Sequence, residues 1–257
     1  IVLVILVIAA SVIFGQAATE EFQRVYAAAE AADAMPEQSA PEGVQAAPLS
    51  VAEAQDAVEE RPDDPLAFVD LGYAHLAAGS HEDALAAFQQ ALDKGLAGPD
   101  LLIQVGGDLL DGGMYPLALR YFRRALNSAP DSSLAMIGAR EAMFALVQSD
   151  DPDGRTIVEA LAGEAPGWAL TDAALAIYEL QADDPDLEAA LAWAEAAVDN
   201  DSQEPLAHYA LGMAYEAQEQ YEDARAEYRF VIHEQDTPDS LIQAAQARLD
   251  ALPDDTD

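Results

Sequence analysis

Two consecutive 34-residue stretches of this 257-residue chain align with each other without a gap. The first, residues 65–98, reads PLAFVDLGYAHLAAGSHEDALAAFQQALDKGLAG. The second, residues 99–132, reads PDLLIQVGGDLLDGGMYPLALRYFRRALNSAPDS. Both stretches repeat the same small and aromatic residues at an offset of 34: Gly72 and Gly106, Ala84 and Ala118, Phe88 and Phe122, Ala91 and Ala125. A fixed period of this length indicates an architecture of stacked repeats.

The pattern returns near the end of the chain with Leu211-Gly212 and Tyr228. Gly212 lies 106 residues after Gly106, which is three periods plus four residues. We therefore predict one four-residue insertion, carried by a third unit over residues 133–170. In that unit Arg140 takes the glycine position, and in a fourth unit, residues 171–204, Tyr178 takes it. A fifth unit covers residues 205–238.

The spacing predicts that each unit is a hairpin of two helices. A glycine in the first helix lets the two helices approach closely, and the aromatic residue of the second helix fills the space left between them. Such a hairpin cannot bury its apolar side alone, so neighbouring hairpins must stack.

These residues resemble the tetratricopeptide repeat, whose 34-residue pattern runs aromatic, Leu-Gly, aromatic, then Ala, aromatic, Ala and Pro. The resemblance implies an all-α, right-handed superhelical solenoid of helix-turn-helix hairpins over residues 49–252. It would contain about five hairpins, a preceding half-unit, a capping helix over residues 239–252, and an acidic tail at residues 253–257. In this family the first helices of the hairpins line a concave surface that binds peptides or helices of other proteins.

The family's groove positions can be transferred to this sequence one by one. They predict an apolar partner-binding groove with acidic flanks, lined by Val69, Tyr73, Leu76, Ile103, Leu110, Ile137, Phe144, Leu175, Tyr209 and Met213. The alternative is that such residues only pack against neighbouring helices. A subset of the family holds chaperone carboxylates with lysine and asparagine, but Val69, Tyr73, Ile103 and Gly107 occupy those positions here and cannot do so.

The chain has one basic cluster, and its two interpretations stay open. It consists of three arginines in the second unit and one in the third: Arg120, Arg123, Arg124 and Arg140. The cluster is either an anchor for an acidic partner or an internal brace for nearby carboxylates.

Residues 1–18 begin with the apolar run IVLVILVIAASVIFG, and no charged residue occurs before Glu20. This run is near the length needed to span a membrane. It therefore predicts a transmembrane anchor, with a cleaved signal segment or a buried core segment as alternatives. The first basic residue after it is Arg24 and the next is Arg61, and this scarcity of positive charge near the run favours an extracytoplasmic repeat domain. Residues 19–48 read as a short helix and a Pro-rich linker.

Composition excludes several classes of function. The net charge of −37 argues against nucleic acid, which is bound through lysine and arginine. It fits either a high-salt habitat or an ordinary acidic surface. The chain contains no cysteine and no H-E-x-x-H motif, and residues 150–154 fail the calcium-loop pattern at both ends. We expect no catalytic residues, metal, cofactor or small-molecule substrate.

The sequence thus predicts a non-enzymatic, membrane-anchored and extracytoplasmic scaffold. It would bind a partner helix or peptide in its groove and support the assembly of a membrane-associated complex. The alternatives are a permanent structural subunit of a larger membrane complex, and a secreted or periplasmic repeat protein after signal cleavage.

Overall fold

The computed structural model describes residues 49–149 and 151–253, and every regular element in these ranges is an α helix. The predicted apolar segment at residues 1–18, the predicted short helix and Pro-rich linker at residues 19–48, and the last four residues lie outside the described residues. The described helices number twelve: α1 (Val51–Glu60), α2 (Pro65–Ala77), α3 (His81–Asp93), α4 (Pro99–Asp111), α5 (Tyr115–Ser128), α6 (Ser133–Gln148), α7 (Gly154–Glu164), α8 (Ala169–Leu180), α9 (Leu187–Asn200), α10 (Pro205–Ala217), α11 (Tyr221–His233) and α12 (Asp239–Ala251). None of them is both long and apolar enough to cross a membrane.

The chain divides into two compact units between residues 134 and 135. The described part of the first unit holds α1 to α5, in which α2 packs against α3 and α4 against α5. The second unit holds nearly all of α6 together with α7 to α12. In it α8 packs against α7, α9 and α10, while α11 packs against α10 and α12. The helices α2, α4, α6, α8 and α10 are called A helices below, and α3, α5, α7, α9 and α11 are called B helices.

Local sequence signals explain where several helices begin. The Ser50 hydroxyl accepts from the backbone N–H of Glu53 at 3.3 Å, and the Glu53 carboxylate accepts from the backbone N–H of Ser50 at 2.9 Å. This reciprocal capping box satisfies two donors that the start of α1 would leave unpaired. The A helices α2, α4 and α10 each begin with proline, whose fixed φ suits the first helical position.

The packing of glycine against an aromatic ring is confirmed in three hairpins. A Cβ atom on Gly72 would lie 2.6 Å from the ring of Phe88, and one on Gly106 would lie 3.0 Å from Phe122. In the fifth hairpin the corresponding distance from Gly212 to the Tyr228 ring is 2.7 Å. Each glycine is the eighth residue of its A helix, and each ring belongs to the eighth residue of the B helix. These pairs set how closely the two helices approach.

The prediction of a single four-residue insertion in the third unit is wrong. Successive A helices begin 34, 34, 36 and 36 residues apart, so the third and fourth hairpins share the extra residues equally. The turns between A and B helices lengthen from three residues to five at 149–153 and to six at 181–186. The eighth residue of α8 is consequently the buried Ala176, and not Tyr178 as the sequence predicted. Its counterpart in α9 is the buried Ala194, a small residue where the first, second and fifth hairpins have a ring.

The three-residue turns contain a backbone conformation that favours glycine. Gly79 has φ +76° between α2 and α3, and Gly113 has φ +73° between α4 and α5. The same central position between α10 and α11 is occupied by Glu219, with φ 62°. A side chain in this left-handed region is strained, so the fifth hairpin adopts the common turn at a cost in free energy.

Candidate protein-interaction surface

The first unit presents one side of α2 and α4 to solvent. Leu66 is 47% exposed, and the side chain of Asp70 one turn later is exposed too. Tyr73 and Leu76 are partly exposed, as are two aspartates of α4. We call this surface the α2/α4 face and define it by six residues: Leu66, Asp70, Tyr73, Leu76, Asp108 and Asp111.

A hydrogen bond joins the two helices across this face. The Tyr73 hydroxyl donates to Oδ2 of Asp108 at 2.5 Å, and the Tyr73 ring meets the ring of Phe88 edge-on with centroids 5.2 Å apart. Tyr73 is therefore held in place by its own unit and leaves only part of its surface open. The remaining predicted groove residues of this unit, Val69, Ile103 and Leu110, are buried.

The carboxylates of α4 are poorly solvated. Burial raises the pKa of Asp108 to about 6, although the hydrogen bond from Tyr73 acts in the opposite direction. Burial also raises the pKa of Asp111 to about 6, and the neighbouring Asp108 carboxylate adds to this rise. A charged group that has lost water is stabilised by an opposite charge nearby. A cation placed beside these two groups would therefore lower the pKa of both.

Among the basic residues of the first unit, the charge of Arg61 reaches this face, because it partly offsets the rise that burial causes in the pKa of Asp70. Lys94 Nζ lies 2.8 Å from Asp63, and Arg61 lies 2.6 Å from Asp64. On α5, Arg120 donates to the side-chain oxygen of Gln89 at 3.0 Å. Of the other two arginines predicted for the cluster on this helix, Arg123 is partly exposed and Arg124 exposed.

The predicted groove residues of the second unit mostly contact other helices of that unit. Phe144 on α6 meets Tyr209 on α10 edge-on, with centroids 5.6 Å apart and exposed fractions of 5% and 3%. The Tyr209 hydroxyl also accepts from Nε of Arg248 on α12 at 3.0 Å. Leu175 and Met213 are buried, and Ile137 is partly exposed. Partner binding by these residues stays a prediction, and in this structure little of their surface is open.

Arg140 forms a buried ion pair inside the second unit. Its Nε lies 3.0 Å from both carboxylate oxygens of Glu204, and its Nη1 donates to the backbone carbonyl of Asp236 at 3.0 Å. Glu204 also accepts from the N–H of Leu206 at the start of α10. Burial raises the pKa of Glu204 even though Arg140 opposes the rise. Arg140 therefore holds α6 against the start of α10. For this arginine the structure matches the internal brace of the two interpretations given above.

One exposed hydrophobic residue of the face was missed by the sequence analysis. Leu66 was not among the predicted groove residues, yet it is the most exposed of the large hydrophobic side chains in the described ranges. The sequence indicated that Leu66 lies on the same side of α2 as Tyr73, because Leu66, Asp70 and Tyr73 follow one another at helical spacing. No group of three histidine or acidic side chains that could hold a metal ion occurs in the same ranges.

Comparison with known proteins supports the resemblance over part of the chain. A family model described as tetratricopeptide repeat matches residues 48–99, which contain α1, α2 and α3. No match was found among curated proteins. The match supports the assignment of the first complete hairpin, and the glycine–ring pairs of the second and fifth hairpins repeat its packing.

Three solved structures illustrate the similarity. A thermophilic TPR protein of Thermus thermophilus is 19% identical over 72% of this chain and 98% of that chain, with a TM-score of 0.37. MamA from Desulfovibrio magneticus is 22% identical over 68% and 97%, with a TM-score of 0.35. YrrB, described as a TPR protein with an unusual peptide-binding site, is 18% identical over 77% and 100%, with a TM-score of 0.37.

Proposed function

We propose that this protein is a non-enzymatic scaffold that binds another protein through the α2/α4 face of its first unit. The observation that carries the proposal is the exposure of Leu66 on the same helix, α2, as the partly exposed Tyr73 and Leu76. A hydrophobic patch with a polar border is typical of a protein-interaction site. The tetratricopeptide-repeat match over α1 to α3 supports the same function, because the first helices of such repeats receive peptides or helices.

The first unit is a better candidate than the second for contact with a partner. In the second unit, Tyr209 on α10 already contacts Phe144 on α6 and Arg248 on α12. A partner would have to displace these contacts before it reached the A helices. On the first unit the exposed part of Leu66 is open in the free protein.

The proposal also includes a membrane anchor at residues 1–18 and an extracytoplasmic location for the repeats. Its support is the uncharged apolar run and the scarcity of basic residues after it. The partner would then belong to a membrane-associated complex that the scaffold helps to assemble. A permanent subunit of such a complex, or a released protein after signal cleavage, would use the same face.

Site-specific photo-cross-linking in native membranes tests the proposal. A photoreactive phenylalanine analogue replaces Leu66 in one variant and Trp193 in the matched control. Trp193 is 40% exposed on α9 and lies outside the α2/α4 face. We expect a discrete cross-linked protein from position 66 that is missing from position 193. The same products from both positions, or products from position 193 alone, would contradict the proposal.

A further inference from the structure

Resting on the proposed function, we infer that the α2/α4 face binds a cationic amphipathic segment of another protein. This segment places apolar side chains against Leu66 and Tyr73 and a lysine or arginine beside Asp108 and Asp111. The inference concerns the chemistry of the partner, about which the repeat architecture says nothing.

The apolar part of the face is too small to bind a partner alone. Burial of apolar surface contributes about 25 cal/mol per Å², and association costs at least about 4 kcal/mol before any net affinity remains. One half-exposed leucine and two partly exposed neighbours cannot meet this cost. A second kind of interaction is therefore required, and the charges of the face supply it.

The charges on the two helices have one sign. Helices α2 and α4 contain four aspartates, Asp70, Asp100, Asp108 and Asp111, and neither a lysine nor an arginine. Among the described residues, the only hydrogen bond to the Asp108 carboxylate comes from the neutral Tyr73 hydroxyl. Complementary charge selects partners and suppresses wrong ones, so a cationic segment fits this face and an acidic one is repelled.

The second unit shows this chemistry within the same chain. Its helix α6 carries Arg140 and Phe144 at positions i and i+4, and these side chains meet Glu204 and Tyr209 at and near the start of α10. An A helix of this protein thus already contacts a helix that presents a cation and an aromatic ring one turn apart. The partner segment is expected to use the same spacing.

Two synthetic peptides serve as probes. One is a 15-residue, fluorescein-labelled helical peptide with repeated arginine at i and leucine at i+4, and the other has glutamate in place of every arginine. Binding to the protein is measured by fluorescence anisotropy at 300 mM NaCl. At this ionic strength the Debye length is roughly 6 Å, so diffuse attraction to a chain of net charge −37 is screened.

Two pairs of variants with matched charge locate the binding. Asp70→Asn/Asp111→Asn removes two charges from the α2/α4 face, and Asp183→Asn/Asp184→Asn removes two exposed charges between α8 and α9. We expect the arginine peptide to lose at least tenfold in affinity with the first pair and less than twofold with the second. Equal losses of affinity would show that binding depends on the net charge of the protein and not on this face, and the inference would be wrong.

A matched apolar pair separates this inference from the proposed function. Leu66→Gln should weaken the arginine peptide at least fivefold, whereas Trp193→Gln should not. If the glutamate peptide binds equally well and depends equally on Leu66, the face is a docking site but its preference for cations is refuted. If neither peptide depends on Leu66, the proposed function fails together with the inference.

Discussion

Replacing Gly72 with alanine tests the packing that defines the hairpins. The added Cβ would lie 2.6 to 2.7 Å from three carbon atoms of the Phe88 ring. Carbon atoms in contact are normally about 3.5–4.0 Å apart, so ring and helix must separate by about 1 Å. Because Phe88 is fully buried between the helices of its hairpin, the ring has little room to move.

The expected loss in the free energy of unfolding follows from two opposing effects. Overpacking a core costs about 1–3 kcal/mol, while alanine in place of glycine inside a helix gains about 1 kcal/mol. We therefore expect Gly72→Ala to destabilise the protein by up to about 2 kcal/mol and to leave it less stable than the control variant. The matched control is Gly163→Ala in α7, where a Cβ meets nothing within 4 Å. That variant should be neutral or more stable by up to about 1 kcal/mol.

Urea unfolding followed by circular dichroism at 222 nm measures both changes. A second change, Phe88→Leu, makes the test specific, because a smaller side chain leaves room for the new methyl group. The double variant should lose clearly less than the sum of the two single losses. Additive losses, or a Gly72→Ala variant as stable as Gly163→Ala, would refute the proposed packing.

Three further predictions concern single side chains. Glu219→Gly should raise the free energy of unfolding, measured in urea, by about 1 kcal/mol, because glycine tolerates the positive φ of that turn. A loss of stability would show that Glu219 is not strained there. Asp108→Asn should stabilise the protein more at pH 7.5 than at pH 4.5. The pKa of Asp108 is raised to about 6, so the ionised carboxylate is unfavourable in the folded protein above that pH. Thermal unfolding at both pH values tests this prediction, and a pH-independent effect would refute it. Burial lowers the pKa of His208, but its contacts with Glu227 at 2.6 Å and with the Ser202 carbonyl outweigh burial, and the pKa is raised above its usual value. The stability advantage of wild type over His208→Gln should thus be full below about pH 6.5 and shrink as pH rises through the folded-state pKa, and an advantage that grows with pH would be the contrary result.

The repeat period was predictable because the packing constraint is local. A glycine at the eighth position of an A helix and a ring at the eighth position of a B helix depend on the two helices of one hairpin. Gly72 and Phe88 therefore appear in the sequence at a constant separation. The sequence did not show that the third and fourth hairpins carry two extra residues each. In the fourth hairpin the positions of the glycine and the ring are occupied by Ala176 and Ala194, and alanines are too common in this chain to mark a register.

The exposure of the groove residues could not be predicted for a different reason. Helical spacing shows which side of α10 is apolar, but not which helices cover that side. The contacts of Tyr209 with Phe144 and Arg248 join residues 65 and 39 positions apart, and no local pattern encodes them. The position of Leu66 on the same side of α2 as Tyr73 could have been predicted from the helical spacing of the two residues. The desolvation of Asp108 could not, because it depends on the packing around α4.

Hydrogen–deuterium exchange with the arginine–leucine peptide tests the central claim most directly. The measurement compares amide exchange of the whole chain with and without a saturating concentration of the peptide. Binding at the α2/α4 face predicts slower exchange in residues 65–77 and 99–111, with residues 169–253 unchanged. Protection confined to residues 169–253, or the same protection from the glutamate peptide, would contradict the account.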